Sequence, residues 1–319
     1  MRRRAALAGV LAGLAVPAFA QAPGRLRRIG VLIDGSPPHP LPEALRAGMK
    51  ERGWPEAAIA FEIRYANGEP ARGVEQAAEL VRGGVDALVA HFTPSVRAAM
   101  AATSTIPIIM APAGAPVETG LVASLSRPGG NVSGVTNMAA ELGGRRLQLL
   151  KDMIPSLGRV AALVSSQDAF TRPFVSYLEQ AAVSGGLQLD PVAIGGPAGF
   201  EAAFAAMVER RAGAAVIQGV FNSHRSALVA LASRHRLPTM WFDRAAVEEG
   251  GLVSLSANLA DMYRRACDLL DKVLRGAKVG DLPVEQPSVF ELVLNLKTAQ
   301  ALGITVPRSV LIQADEVVE

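Results

Sequence analysis

Residues Ile106–Ser126, IPIIMAPAGAPVETGLVASLS, contain an apolar run, a loop rich in Pro, Gly and Ala, and a second short apolar run. A similar stretch, LPTMWFDRAAVEEGGLVSLS, occurs at Leu237–Ser256. In both stretches a proline stands thirteen residues before the glycine that opens the nearly identical tags GLVASLS and GLVSLS. The separation of about 130 residues is much longer than the 20–50 residues of a solenoid repeat. The match therefore predicts two domains of one topology.

Two further pairs of apolar runs have a similar separation. RIGVLID, near Ile29, matches RVAALVS, near Val160, and VDALVAH, from Val85, matches AAVIQGV, from Ala214. The alternative is chance similarity in a chain rich in Ala, Val and Gly. Three matched positions in the same order favour an internal duplication.

The length and composition are those of a protein with a large core. The chain has 319 residues, of which 50% are hydrophobic and 5% aromatic. Domain-size statistics predict about two domains for this length.

The first twenty residues have the pattern of an export signal. Arg2–Arg4 precede the apolar run Ala5–Val16, and Ala18–Ala20 form a small-x-small cleavage site before Gln21. We predict a signal peptide at residues 1–20, cleavage near Ala20 and a periplasmic location, with the Sec and twin-arginine routes both open. Because residue 21 is Gln and not Cys, we expect a freely soluble protein and not a lipoprotein.

The charge balance argues against a nucleic-acid partner. Without the three leader arginines, the basic and acidic residues are equal in number, 29 each. A neutral chain has no net field that attracts nucleic acid or anionic lipid. The single cysteine, Cys267, cannot form an internal disulfide, and its helical context, DMYRRACDLLDKVL, indicates a buried thiol more than a catalytic one.

Strands alternate with helices along both halves of the chain, which predicts an α/β fold with two doubly wound parallel-sheet lobes of like topology and a ligand cleft between them. We assign residues 26–137 and 257–284 to the N-terminal lobe, and residues 138–256 and 285–319 to the C-terminal lobe. After Ser256 the chain is expected to return to the first lobe through a helix at Met262–Leu274. The lobe of the last strand and short helix stays open at this point.

Open α/β sheets bind ligands beyond the carboxyl ends of their strands, so the candidate contacts are residues of the strand-end loops. The loop after Val85–Ala90 is the leading candidate, because Thr93 suits the N-cap of a helix and Pro94 its first position. The ligand-binding candidates are Asp34, Gly35, Ser36, His91, Phe92, Thr93, Ser95, Ala113, Gly114 and Asn137 in the first lobe, and Ser165, Ser166, Gln167, Phe221, Asn222, Asp243 and Ser256 in the second.

The sequence lacks the signatures of common enzymes. It contains no GxSxG, Walker A or HExxH motif, and the four histidines show no metal-ligand spacing. We therefore predict no catalytic residue, no metal and no cofactor. Two alternatives stay open: an exported hydrolase-like enzyme that uses His91 with a carboxylate, and a ligand-sensing module of a regulator. A regulator normally carries a DNA-binding module where this chain has an export signal.

Several segments resemble one protein family. DALVAHFTPSVRAA, SLSRPGGNVSGVTN and FELVLNLKTAQALG are similar to segments of the exported substrate-binding proteins of ABC transporters, in particular the tryptophan/phenylalanine-binding TrpX group. The resemblance covers essentially the whole mature chain. It implies a type I periplasmic-binding fold, a monomer whose two lobes close on a small ligand, and delivery of that ligand to the transmembrane subunits of an ABC permease.

From the placement of the loops we expect a small amino-acid-like or aromatic solute. Its carboxylate would be held by backbone N–H groups with Thr93, Ser95 and Ser166. Its ammonium, if present, would be held by Asp34 or Asp243.

Overall fold

The computed structural model describes residues 25–319, so the predicted signal peptide lies outside it. Strands and helices alternate along the chain. The strands are β1 (Arg27–Ile33), β2 (Ile59–Tyr65), β3 (Ala87–His91), β4 (Ile108–Ala113), β5 (Val132–Thr136), β6 (Arg159–Ser165), β7 (Gln188–Ile194), β8 (Ala214–Ile217), β9 (Thr239–Trp241), β10 (Val253–Ala257), β11 (Phe290–Asn295) and β12 (Glu316–Val318). The helices are α1 (Leu41–Glu51), α2 (Pro70–Arg82), α3 (Phe92–Ala102), α4 (Gly143–Met153), α5 (Thr171–Gly185), α6 (Phe200–Glu209), α7 (Arg225–Arg234), α8 (Arg244–Glu248), α9 (Leu259–Leu274), α10 (Leu296–Leu302) and α11 (Arg308–Gln313).

The first sheet has five parallel strands in the order β2-β1-β3-β4-β5. Its central strands β1, β3 and β4 are runs of apolar residues, and every residue of β3 and β4 is buried. This is the pattern of strands covered on both faces. The helix α9 covers one face together with α1, and α2 and α3 cover the other.

The second sheet has seven strands in the order β12-β11-β10-β9-β8-β6-β7. The prediction of a doubly wound α/β lobe is confirmed, with one difference: β11 runs antiparallel to β10, with Val253 opposite Leu294. The reason lies in the path of the chain. β10 leaves the second sheet for the first lobe at its carboxyl end, and the returning chain enters β11 beside that same end.

Three short segments connect the two sheets. The chain passes from β5 to α4, from β10 to α9, and from the first lobe back to β11. The amphipathic helix α9 packs against the first sheet, and the Sγ of the buried Cys267 lies against α1, where a Cβ built on Gly48 would be 2.6 Å from it. The first lobe therefore contains a helix that follows β10 in the chain, although it packs against β4 and β5.

The duplicated tags differ in structure. GLVSLS contains most of β10, whereas GLVASLS, at residues 120–126, forms turns and coil. The strand beside β4 is instead β5, whose Val132 pairs with Ile108. The first tag bends because Gly120 has a left-handed φ of 71°, which ends the preceding turn.

The expected N-cap role of Thr93 is wrong. Helix α3 begins two residues earlier than predicted, at Phe92, and His91 takes the N-cap position without a side-chain cap. The Thr93 hydroxyl instead donates to the carbonyl of Gly114, at 3.5 Å. The run from Ala214 also ends earlier than expected, because a 3-10 turn starts at Gly219.

Across residues 25–319, no helix combines the length and the hydropathy needed to span a bilayer.

Candidate ligand-binding site

A cavity of about 200 Å³ lies between the lobes, at the carboxyl ends of the strands of both sheets. Pockets for drug-sized ligands have volumes of roughly 300–1,000 Å³, so this cavity suits a smaller molecule. The lobes are closed around it. A Cβ built on Gly35 would lie 2.8 Å from Ser223 Oγ of the other lobe, and one on Gly114 would lie 2.5 Å from the ring of Phe170.

Most of the candidates from the sequence line this cavity. Those that do are Asp34, Gly35, Ser36, His91, Phe92, Thr93, Gly114, Asn137, Asn222, Asp243 and Ser256. They come from five strand ends and from the segments that connect the lobes. The loop architecture of the fold therefore brings them together.

The other six candidates do not line it. Ser95 is buried under the first turn of α3, and Ala113 belongs to the core of the first lobe. Phe221 packs edge-on against Phe200, with ring centroids 5.4 Å apart, and so fills the core of its own lobe. Ser165 and Gln167 bond to each other, with the Gln167 N–H donating to Ser165 Oγ at 3.2 Å, and Ser166 is exposed.

Asp34 is the buried acid without a local partner. Its side chain is 3% exposed, and Oδ2 receives no hydrogen bond from residues 25–319. Burial, with a smaller contribution from the negative charge of Asp168, raises the pKa of Asp34 to about 7. An ionised carboxylate in this place is stabilised only by a cationic or hydrogen-donating group that enters the cavity.

Asp168 approaches the same cavity from the second lobe. Its Oδ1 accepts from the Phe170 N–H at 2.9 Å, and its Oδ2 accepts from the Gln218 amide at 3.1 Å. Burial raises its pKa to about 6, against the lowering effect of the Phe170 hydrogen bond and of Arg97. Both carboxyl groups therefore line the cavity, one from each lobe, and the charge of Asp168 acts on Asp34.

Aromatic rings form the apolar part of the wall. Phe92, Phe170 and Phe242 line the cavity, the first on one lobe and the others on the second. Phe92 adopts a left-handed φ of 66°, which is rare for a bulky residue and is maintained here by its surroundings. Its ring lies over His91, with centroids 3.9 Å apart.

Arg146 is a fully buried cation at the edge of the cavity. Its Nε and Nη2 donate to the carbonyl of Leu255 at 3.0 and 2.7 Å, and its Nη1 donates to Ala139. The guanidinium stacks 3.6 Å from the centroid of Phe242. Burial lowers the pKa of Arg146 to about 9, so it stays charged at neutral pH. Three of its five N–H groups are used by these carbonyls.

The remaining polar residues cluster beside helix α9. Asp243 caps α8 by accepting from the Ala245 N–H at 3.0 Å, and Asn222 Nδ2 lies 3.4 Å from Asp243 Oδ2. Tyr263 and His91 have ring centroids 6.5 Å apart. Burial, with the nearby His39, lowers the pKa of His91 well below its ordinary range, so its imidazole is neutral.

A family model for ABC transporter substrate binding proteins matches residues 31–318. The chain belongs to this family. Members bind small molecules outside the cytoplasm and work with a membrane permease, so the resemblance inferred from the sequence is confirmed.

Individual relatives agree with this assignment. The "Tyrosine-binding protein" of Clostridioides difficile (strain R20291) is 28% identical over 227 residues, which cover 71% of this chain and 65% of the relative, just under two thirds of its length. The structure of an ABC domain from Streptococcus pneumoniae in complex with L-Trp is 28% identical with a TM-score of 0.85, and the match covers 92% of this chain and 100% of that one. A conserved domain protein from Vibrio cholerae is 26% identical, with the same TM-score and the same coverage.

Several cavity residues escaped the sequence reasoning, among them His39, Arg146, Asp168, Phe170, Phe242 and Tyr263. Phe242 directly precedes the candidate Asp243 at the end of β9, so strand-end placement could have found it. Asp168 and Phe170 follow the candidates 165–167, but the turn after β6 directs the later residues inward. Nothing in its local pattern distinguishes Arg146 from its exposed neighbour Arg145.

Proposed function

We propose that this protein is the extracytoplasmic solute-binding component of an ABC importer and captures a small aromatic or amino-acid-like solute by lobe closure. The observation that carries the proposal is Asp34, a buried carboxylate whose Oδ2 has no hydrogen-bond partner in residues 25–319 and which lines the cavity together with Asp168 of the other lobe. A primary ammonium offers three N–H donors and a positive charge, which suits an unpartnered carboxylate with a second carboxyl group in the same cavity. Ligands of the relatives, named as tyrosine and L-Trp, carry such a group.

The ring of the solute would lie among Phe92, Phe170 and Phe242. Stacked and edge-on aromatic contacts add about 0.5–1.5 kcal/mol per pair beyond area burial. Because these rings come from both lobes, a ligand ring between them would favour the closed state. The free N–H groups at the start of α3, with Thr93 and the unused N–H groups of Arg146, suit a carboxylate. Ser166, considered for this role from the sequence, is too far out on the surface.

The remaining features of the proposal rest on the sequence. Residues 1–20 have the pattern of a signal peptide cleaved near Ala20, and Gln21 does not provide the thiol that a lipid anchor requires. We propose that the mature protein is periplasmic, acts as a monomer, and delivers its solute unchanged to the transmembrane subunits of a permease. The N-terminal sequence and the mass of the exported protein test the processing step directly.

Isothermal titration calorimetry with a panel of amino acids and aromatic acids tests the solute class. We expect saturable binding of an aromatic or other amino acid, and at least a 100-fold loss of affinity in Asp34→Asn, because the charge partner of the ammonium is removed. Glu179→Gln, which neutralises an exposed carboxylate on α5, is the matched control and should bind like the parent.

Two outcomes would contradict the proposal. One is tight binding of aromatic acids without an amine, together with no response to any amine-bearing compound. The other is chemical conversion of the solute, detected by mass spectrometry after release from the protein, since a transport protein returns it unaltered.

A further inference from the structure

One end of the cavity contains three polar atoms without a hydrogen-bond partner in residues 25–319. They are the hydroxyl of Tyr263, Nδ1 of His91 and Oδ1 of Asn222. Tyr263 is 2% exposed and His91 is 4% exposed, so neither side chain is satisfied by bulk water. Together with Asp243 we call these residues the polar end. An unpartnered buried polar group costs about 1–3 kcal/mol, and three at one place indicate a missing partner.

The polar end is a continuous group and not a scatter of separate residues. Asn222 Nδ2 lies 3.4 Å from Asp243 Oδ2, which directs Oδ1 of the same amide away from that carboxylate. The negative charge of Asp243 also contributes to a raised pKa of Tyr263, after burial, which places the two side chains near each other. His91 faces Tyr263 from β3, and all four residues line the one cavity.

The chemistry of the polar end is that of a hydrogen-bond acceptor. Asp243 and Oδ1 of Asn222 only accept, and a neutral imidazole nitrogen can also accept. The Tyr263 phenol is neutral and can accept or donate. A carboxylate placed here would be repelled by Asp243, so this end does not hold the acid group of an amino acid. It suits a group that brings an N–H or O–H donor.

The polar end is also distinct from the carboxyl pair proposed above to hold the ammonium. Asp34 and Asp168 also line a smaller recess together with Pro94 and Gln167, and none of the four residues of the polar end lines that recess. With the ammonium at the carboxyl pair and the ring among the phenylalanines, the far edge of the ring is the part of the solute left to meet the polar end.

We propose that the polar end selects solutes whose aromatic ring carries an O–H or N–H donor, such as a phenol or an indole, over solutes with an unsubstituted phenyl ring. This inference rests on the proposed function and names the substrate class for the same site. A site built to hydrogen-bond a substrate hydroxyl rejects the analogue without it strongly, by up to about 10⁴–10⁵-fold, because its own polar groups then lose their partner. We expect a preference of about 100-fold, below that limit.

Calorimetric titration of the full mature chain with five compounds tests the inference: tyrosine, phenylalanine, O-methyltyrosine, tryptophan and 1-methyltryptophan. The methylated compounds keep the ring but lack the donor. We expect tyrosine or tryptophan to bind about 100-fold more tightly than phenylalanine, and each methylated analogue to bind more weakly than its parent.

Variants assign the effect to the polar end. In Tyr263→Phe the preference for the ring donor should fall below about tenfold, with phenylalanine binding unchanged or slightly improved because a buried hydroxyl has been removed. Tyr177→Phe, which removes a partly exposed phenol outside the cavity, is the matched control and should retain the preference, and thermal unfolding confirms that both variants fold. Equal affinity of wild-type protein for tyrosine and phenylalanine, with both bound, would overturn this inference alone. Binding of none of the five compounds would also overturn this inference, and the proposed function would then stand only if another amine-bearing solute of the wider panel binds.

Discussion

The buried carboxyl group of Asp34 makes closure of the empty cleft sensitive to pH. In the closed form, burial and Asp168 raise the pKa of Asp34 to about 7. In an open form the group faces water and has the ordinary value of about 3.9. We therefore expect empty closed protein to be disfavoured at neutral pH and to gain population on acidification.

The sign and the size follow from the two pKa values. Below pH 4 the Asp34 carboxyl group is protonated in both forms, so its ionisation adds nothing to the free energy of closure. Between about pH 4 and pH 7 the closed form takes up a proton, and the cost of closure rises with pH. Above pH 7 the cost is constant at about 4 kcal/mol, which is about a thousandfold in the closing equilibrium. Burial also raises the pKa of Asp168 to about 6, which acts in the same direction.

Small-angle X-ray scattering of the solute-free protein from pH 8 to pH 4.5 measures this effect as a falling radius of gyration. Asp34→Asn removes the titrating group, so the variant should already be more compact at pH 8 and should change less with pH. Glu179→Gln should follow the wild-type curve. With a saturating amine-bearing solute the wild-type protein should be compact from pH 5 to pH 8, because the ammonium replaces the proton.

Two results would refute this reasoning. The first is a solute-free wild-type protein whose radius is the same at pH 8 and pH 5 although solute compacts it. The second is an Asp34→Asn variant with the wild-type pH profile, which would show that another group controls closure.

Three further predictions concern other parts of the molecule. Gly114→Ala should weaken solute binding at least tenfold with little change in Tm, because the new Cβ would lie 2.5 Å from the ring of Phe170 across the cleft. Adding Phe170→Ala to the same chain should restore part of the affinity. An unchanged Kd in the single variant would contradict the closed arrangement. Arg146→Met should lower the free energy of unfolding in urea by about 2–4 kcal/mol, since two buried carbonyls lose their donor, whereas the exposed Arg145→Met should change it by less than about 0.5 kcal/mol. Burial raises the pKa of the Cys267 thiol to about 11, so this thiol should react with DTNB only after unfolding. Rapid reaction of the native protein would show that α9 is not packed as described.

The order of strands and helices could be predicted from the sequence because buried parallel strands are runs of Val, Ile and Ala. The runs at Ile29 and Val160 became β1 and β6, and the helix expected at Met262–Leu274 became α9, which starts three residues earlier and ends at Leu274. The antiparallel β11 could not be predicted, because its direction is set by where the chain re-enters the second sheet. Similarly, the sequence GLVASLS does not reveal that its turn geometry keeps it out of the sheet.

The candidate site followed from the topology only in part. Strand-end placement found Asp34, which the structure puts in the cavity, since carboxyl ends of parallel strands share one edge. It included Ser166 and left out Asp168, because the direction of each side chain in an irregular turn depends on tertiary contacts such as the Gln218 amide. Arg146 was missed because it reaches the cavity from within a helix.

The position of α9 has a consequence for the biogenesis of the protein. The first sheet is complete by residue 136, but its outer face is covered by residues 259–274, more than 120 positions later in the chain. Contacts of such high sequence separation slow folding and leave apolar surface uncovered until the last third of the polypeptide is available. The nascent N-terminal half thus stays incomplete for most of synthesis.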